Sequence, residues 1–150
     1  IVGDGSECDL EVVDITNNGD ININSSGAGL IGGIIGYATR TNEDDGVFEN
    51  CVNNGNINLI AQAASNIGGI VGQIRHYELL ECENNGTITI GEGYKSSVEL
   101  YIGGIAGMGG SYHQYINCVN IGTITGPNSN QYGTGGIAAG RFSAVYLPGH

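Results

Sequence analysis

The sequence predicts an all-β protein, a parallel β-helix (β-solenoid) of about four coils with three short strands in each coil. A Gly-Gly-Ile element recurs at steps of 36, 35 and 32 residues, and its copies begin at Gly32, Gly68, Gly103 and Gly135. An asparagine-glycine element recurs beside it, centred on Asn17, Asn53, Asn84 and Asn120. A period that is kept while the intervening loops vary is typical of stacked coils. We expect right-handed winding.

The best-formed coil begins at position 67. Residues 67–72 (IGGIVG) are apolar and interrupted by glycine, which favours a strand packed close to a neighbouring backbone. Residues 79–82 predict a second strand, and residues 84–86 (NNG) predict a turn because Asn and Gly tolerate positive φ. Residues 87–90 (TITI) alternate strictly and predict a third strand with one buried face. No amphipathic stretch at the helical period is longer than one turn.

Alignment of the coils predicts which side chains stack. Two interior columns are all isoleucine: Ile21, Ile57, Ile88 and Ile124, and Ile34, Ile70, Ile105 and Ile137. A third contains Ile15, Cys51, Cys82 and Cys118. We interpret these cysteines as buried thiols, and a disulfide between neighbouring coils is the alternative because stacked Cα atoms lie within disulfide range. A structural ladder of amides is predicted for Asn17, Asn53, Asn84 and Asn120.

The whole chain of 150 residues is predicted to form one solenoid domain. Residues 1–11, which are acidic and include Cys8, would cap the first coil. Residues 12–140 hold the repeats, and residues 141–150 form a C-terminal segment. Both end coils present strand edges, which need a cap or a partner.

The charge balance limits the partners. The net charge is −11, with only four Lys or Arg residues. Nucleic acid requires a basic footprint, and anionic membrane surfaces attract basic segments, so both are disfavoured. No run approaches the roughly 18 apolar residues of a membrane-spanning helix, so we expect no membrane insertion.

With the repeats aligned, the pattern GGI-x-G, then a variable loop, then C-x-N-x-G-x-I, resembles the GLUG-motif repeats of bacterial secreted and cell-surface proteins. The matching segments are residues 32–57, 68–88 and 103–124, and the resemblance covers about residues 12–140. Such repeats occur in adhesin-like proteins and beside the catalytic domains of immunoglobulin A-specific metallopeptidases. The resemblance implies an exported, non-catalytic β-solenoid in the extracellular space or at the cell surface. The HExxH signature of those peptidases is absent from this sequence.

Residue types with catalytic or metal-binding chemistry are few. The acidic runs are 43–45 (EDD) and 4–11, and neither shows the supported spacing of a catalytic carboxylate pair. No serine or cysteine has a nucleophile-elbow context, and no cysteine or histidine pair has zinc spacing. We therefore expect no enzymatic activity and no cofactor, with Ca²⁺ at one of the acidic runs as the alternative.

The segments after the Gly-Gly-Ile strands predict a partner-binding edge. Stacking would gather aromatic and basic groups of the kind that dominates binding hot spots, namely Tyr37, Arg40, Arg75, His76, Tyr77, Tyr112 and His113. The alternative is that these side chains only cover an apolar corner. Outward Asn and Thr residues beside each turn make ice binding a further hypothesis, because small hydroxyl and amide groups can order water.

The predicted function is a structural or adhesive module that presents its loops to a protein or glycan surface or acts as a rigid spacer. The alternative is a filament subunit that joins other copies end to end through strand edges. Ice binding or glycan binding is the third hypothesis.

Overall fold

The computed structural model describes residues 2–4, 10–40, 46–61, 65–91, 99–111, 113–126 and 132–139. Within these ranges the chain forms 21 short strands and no helix. The strands pair in parallel with their equivalents one coil away, as β10 does with both of its neighbours. The predicted parallel β-helix is therefore confirmed, while its handedness stays a prediction.

The strands form five sheets, which we number in the order in which one coil visits them. Sheet 1 contains β5 (Gly29–Gly32), β10 (Ser65–Gly68), β15 (Leu100–Gly103) and β20 (Tyr132–Gly135). Sheet 2 contains β1 (Val2–Asp4), β6 (Ile35–Thr39), β11 (Val71–Arg75), β16 (Ala106–Gly109) and β21 (Ala138–Ala139). Sheet 3 contains β2 (Glu11–Val13), β7 (Gly46–Glu49), β12 (Tyr77–Leu80) and β17 (His113–Ile116). Sheet 4 contains β3 (Thr16–Asn17), β8 (Val52–Asn53), β13 (Glu83–Asn84) and β18 (Val119–Asn120). Sheet 5 contains β4 (Ile21–Ser25), β9 (Ile57–Ala61), β14 (Ile88–Ile90) and β19 (Ile124–Thr125).

Each coil visits five sheets, where three strands per coil were predicted. The Gly-Gly-Ile element is two strands, because the chain turns sharply at the paired glycines: β10 ends at Gly68 and β11 begins at Val71. A two-residue strand such as β13 also precedes each Asn-Gly turn. The two-residue strand is too short for an alternation pattern to reveal it.

Neighbouring coils stack in register. In sheet 1, the first glycine of each Gly-Gly pair lies directly above its equivalent, from Gly32 through Gly68 and Gly103 to Gly135. The asparagines of sheet 4 stack in the same way. Differences in coil length therefore fall in the connections between sheets, where they leave the pairing unchanged.

The Gly-Gly turn reaches across the coil and touches the Asn-Gly turn on the opposite side. A Cβ added at Gly69 would lie 2.1 Å from the carbonyl oxygen of Gly104 and 2.3 Å from Cγ of Asn84. The same contact recurs one coil earlier, where a Cβ at Gly33 would lie 2.6 Å from Cγ of Asn53. Only a residue without a Cβ fits here. We call this contact between the two turns the waist of the coil.

The buried apolar residues form two separate clusters, one on either side of the waist. The larger lobe lies inside sheets 2 and 3 and the corner that follows them, and it contains Val12, Ile34, Ile35, Ala38, Phe48, Cys51, Ile70, Val71, Ile74, Tyr77, Leu79, Cys82, Ile105 and Ala106. The smaller lobe lies inside sheets 1 and 5, and it contains Ile31, Ile57, Leu59, Ile67, Ile88, Ile90, Leu100 and Ile102. Each lobe is continuous from coil to coil, so coils bury one another's apolar faces.

The predicted interior columns distribute between the lobes with one exception. Ile57 and Ile88 are fully buried in the smaller lobe, and Ile70 and Ile105 are fully buried in the larger one. Ile15 is 40% exposed, so its assignment to the interior was wrong. It precedes β3, the edge strand of sheet 4, and has a coil stacked on one side only among the described residues.

A column of left-handed residues forms the corner between sheets 3 and 4, a feature that the sequence analysis missed. Asp14, Asn50, Glu81 and Asn117 have φ of 56°, 51°, 52° and 53°. Asn and Asp tolerate this conformation better than most residues, and Nδ2 of Asn50 donates to Oδ1 of Asp14 at 2.6 Å. The repeated corner turns the chain so that the strand of sheet 4 begins two residues later, after the Cys or Ile.

The waist predicts the effect of one added methyl group. We expect Gly69→Ala to lower the free energy of unfolding by about 3 kcal/mol, because the new Cβ overlaps backbone and a buried amide. Gly27→Ala is the matched control, since its Cβ would lie 3.6 Å from the nearest neighbour, Oγ of Ser25. Chemical denaturation of both variants checks this. Equal stability of the two variants would show that the turns do not touch.

Candidate functional site

Four of the residues predicted to form the partner-binding edge are buried, so the edge was wrong for them. Tyr77 is fully buried, and His113, His76 and Arg40 are 2%, 8% and 8% exposed. Tyr77 covers Gly46 of the preceding coil, where a Cβ would lie 2.2 Å from its Cε1. These side chains fill the space between sheets 2 and 3, where the corner of the larger lobe would otherwise stay open.

The remaining described residues of the predicted edge, Tyr37 and Arg75, lie on the outer face of sheet 2 in neighbouring coils. Tyr37 is half-buried on the outer face of sheet 2, and Arg75 is exposed at the end of β11. Tyr112 lies outside the described residues. The packing at this corner is aromatic instead: the Phe48 and Tyr77 rings meet edge to face with centroids 5.4 Å apart.

The asparagines of the waist form a continuous buried ladder. Nδ2 donates to Oδ1 of the next asparagine at 2.8 Å from Asn17 to Asn53, from Asn53 to Asn84 and from Asn84 to Asn120. Each Nδ2 also donates to the carbonyl oxygen of the glycine two residues later, as Asn53 does to Gly55 at 2.9 Å. Asn53 and Asn84 have no exposed surface. Both amide protons and the amide oxygen are therefore satisfied inside the molecule.

A second, exposed amide column runs beside this ladder. Nδ2 of Asn54 donates to Oδ1 of Asn18 at 2.8 Å, and Nδ2 of Asn85 donates to Oδ1 of Asn54 at 2.9 Å. In the next coil Ile121 takes the equivalent position and is 68% exposed. At Asn53 and Asn54 the two columns place identical side chains in buried and in solvated surroundings one residue apart.

The cysteines stack at the corner as free thiols within the described residues. Each thiol donates to a carbonyl oxygen of the preceding coil: Cys51 to Val12 at 3.4 Å, Cys82 to Phe48 at 3.4 Å and Cys118 to Leu79 at 3.3 Å. Hydrogen bonds with Cys118 and Cys51, together with burial, raise the pKa of the Cys82 thiol. The hydrogen bond with Cys82 lowers the pKa of Cys51 and that of Cys118. The Cys82 thiol, protonated and buried, is a poor nucleophile, and the thiol-to-carbonyl bonds between coils agree with the structural role predicted for the column. Cys8 lies outside the described residues.

A groove opens on the outer side of the Gly-Gly turn, where sheets 1 and 2 diverge; we call it the waist groove. Its volume is about 500 Å³, and its lining includes Leu30, Asn66, Glu99, Tyr101 and Met108. The backbones of the two walls touch at its floor, since a Cβ at Gly107 would lie 2.4 Å from the backbone nitrogen of Ile67. The sequence does contain a signal for this groove, because the residue two positions before each Gly-Gly pair varies from coil to coil. That variation did not enter the predictions.

Two further faces differ in chemistry. Sheets 3 and 4 and their corner carry the carboxylates Glu11, Asp14, Glu49, Glu78, Glu81 and Glu83, and their strands contain no Lys or Arg. The face of sheet 5 considered for ice binding carries the column Asn22, Asn58, Thr89 and Thr125. There Asn58 donates to Asn22 at 2.9 Å and Thr125 contacts Thr89 at 3.3 Å, so the polar groups bond to one another. Ice binding stays a prediction.

The described ranges contain no candidate metal site and no candidate membrane-spanning helix. No group of three or more His, Cys, Asp and Glu side chains there could hold a metal ion. Residues 43–45, Glu7 and Asp9, which were considered for Ca²⁺, lie outside the described residues. No helix in the described part of the chain is long and apolar enough to cross a membrane.

Comparison of this chain with models of protein families, with characterised proteins and with solved structures finds no match. The resemblance to GLUG-motif repeats therefore stays a prediction based on the repeat pattern.

Adjacent asparagines allow a matched test of the ladder. We expect Asn53→Ala to lower the free energy of unfolding by about 3 kcal/mol, because it leaves groups of Asn17, Asn84 and Gly55 buried without their partner. Asn54→Ala removes an exposed amide from the outer column and should cost less than about 1 kcal/mol. Urea denaturation of both variants measures the difference. Similar losses in the two variants would contradict a special role for the buried ladder.

Burial of His113 predicts a pH effect. Burial lowers the pKa of His113 below its usual 6.5, so the folded chain binds fewer protons there than the unfolded chain. The stability linked to this group is therefore present above about pH 6.5 and is lost as the pH falls towards the folded pKa. Thermal unfolding at about pH 7 and about pH 5 should show a smaller loss for His113→Phe than for the wild type. Equal losses would contradict the prediction.

Proposed function

We propose that this chain is a non-catalytic structural and adhesive module of the extracellular space, a rigid solenoid that holds binding surfaces in fixed positions. The observation that carries this proposal is that the side chains that repeat from coil to coil hold the coils together. Their amides and thiols form hydrogen bonds from coil to coil, and their aliphatic groups pack from coil to coil. These contacts make the solenoid rigid. Among the residues that vary between coils, Leu30, Asn66 and Tyr101 lie on an outer face and are open to a partner.

The extracellular location is part of the same proposal and draws on the sequence. The repeat pattern resembles the GLUG-motif repeats of secreted and surface proteins. The net charge of −11 and the four Lys or Arg residues suit a soluble surface that repels anionic polymers.

A filament subunit is the second candidate, and one observation favours it. Of the seven exposed large apolar side chains in the described ranges, five lie in or beside the edge strands of sheets 3 and 4: Val13 and Ile15, and Ile116, Val119 and Ile121. The asparagine ladder also has a direction, because Asn17 offers Oδ1 at one end and Asn120 offers Nδ2 at the other. Head-to-tail stacking would continue both features.

Adhesion assays test the proposal. Beads coated with the purified chain should adhere to at least one surface in a panel of immobilised glycans and extracellular matrix proteins. The control beads carry the same chain after heat denaturation, which removes the folded faces. Adhesion to no surface above the control would contradict the adhesive function. Filaments in electron micrographs of the purified chain would favour the second candidate instead.

A further inference from the structure

We propose that the waist groove binds a neutral glycan, an inference that rests on the adhesive function and names its ligand class and site. The groove follows the solenoid axis, because its walls are stacked columns rather than loops. Leu30, Asn66 and Tyr101 occupy consecutive coils of one wall. Met108 lines the facing wall and stacks in one column with Gln73 and Tyr37. Its volume of about 500 Å³ lies in the range of small-ligand sites.

The lining combines the two kinds of group that bind sugars. Tyr101 and Met108 supply apolar surface, and a tyrosine ring can stack on the C–H face of a pyranose. Asn66 supplies an amide, and Glu99 supplies a carboxylate whose Oε2 accepts a hydrogen bond from the Tyr101 hydroxyl at 3.2 Å. This bond orients the tyrosine on the groove wall. Amide and carboxylate oxygens accept hydrogen bonds from sugar hydroxyls.

The amide groups are already positioned and keep bonding capacity for a ligand. Nδ2 of Asn66 donates across the groove to Oε1 of Gln73 at 3.1 Å and contacts Sδ of Met108 at 3.4 Å. These contacts use Nδ2 of Asn66 and Oε1 of Gln73, which leaves Oδ1 of Asn66 and Nε2 of Gln73 for sugar hydroxyls. A positioned amide loses little freedom when a ligand binds.

The charge of the lining selects a neutral ligand. Among the described residues that line the groove, none is positively charged and Glu99 is the one carboxylate. The chain as a whole carries −11. A glycan with carboxylate or sulfate groups would therefore be repelled both at the site and over a longer range. A strongly cationic ligand would find more carboxylates on sheets 3 and 4 than in the groove.

Binding of defined oligosaccharides tests the inference. Titration calorimetry of the full chain would use cellohexaose, xylohexaose and mannohexaose as neutral probes and hexagalacturonate as the acidic probe. We expect at least one neutral probe to bind and the acidic probe not to bind. Tyr101→Ala should weaken the binding about tenfold through the loss of stacking surface. Tyr101→Phe should keep most of the affinity because it keeps the ring.

The controls distinguish the loss of a binding site in the groove from unfolding of the chain and from failure of the proposed adhesive function. Ile60→Ala changes an exposed apolar side chain of sheet 5 that is not among the residues lining the groove, so it should leave the affinity within about twofold. Circular dichroism checks that each variant is folded. The inference is overturned if no neutral probe binds, if hexagalacturonate binds better, or if Tyr101→Ala and Ile60→Ala bind alike. Beads that still adhere to a protein surface in that case would leave the adhesive function standing.

Discussion

The structure depends on the contact between the Gly-Gly turn and the buried asparagine ladder at the waist. Backbone reaches the amide column only because Gly33, Gly69 and Gly104 have no Cβ. The asparagines can be buried there only because each amide bonds to the next coil and to its own turn. Either feature without the other would leave a clash or an unsatisfied polar group, each of which costs more than about 1 kcal/mol.

The waist also explains the rest of the architecture. It narrows the coil at its middle, so the apolar interior is two slender lobes that short strands can fill. A slip of one residue would move the amides out of line and would put side chains of the wrong kind in each lobe. Fully satisfied buried polar networks specify one arrangement in this way. Stacking in register then builds the waist groove and the acidic face from residues that need no role in folding.

The sequence predicted the features that repeat in every coil. It predicted the features that vary between coils less well. The period and the Asn-Gly turn were enough for the parallel stack, because equivalent residues must lie one above another. The two-strand nature of the Gly-Gly-Ile element was missed, since a turn made by two glycines looks like an interruption in one strand. The aromatic edge was wrong for Tyr77 because exposure depends on the absent side chain of Gly46 in the preceding coil. The groove was missed because its walls converge only after the turn folds back.

Hydrogen exchange of side-chain amides measures the central contact most directly. If the waist holds the solenoid together, the Nδ2 protons of Asn53 and Asn84 exchange only when the molecule unfolds, with protection equal to that of the backbone amides of sheet 4. The Nδ2 protons of Asn54, in the exposed column, exchange faster. Exchange of the Asn53 and Asn84 side chains at the rate of Asn54 would contradict the account, because it would mean that the amide ladder opens without unfolding.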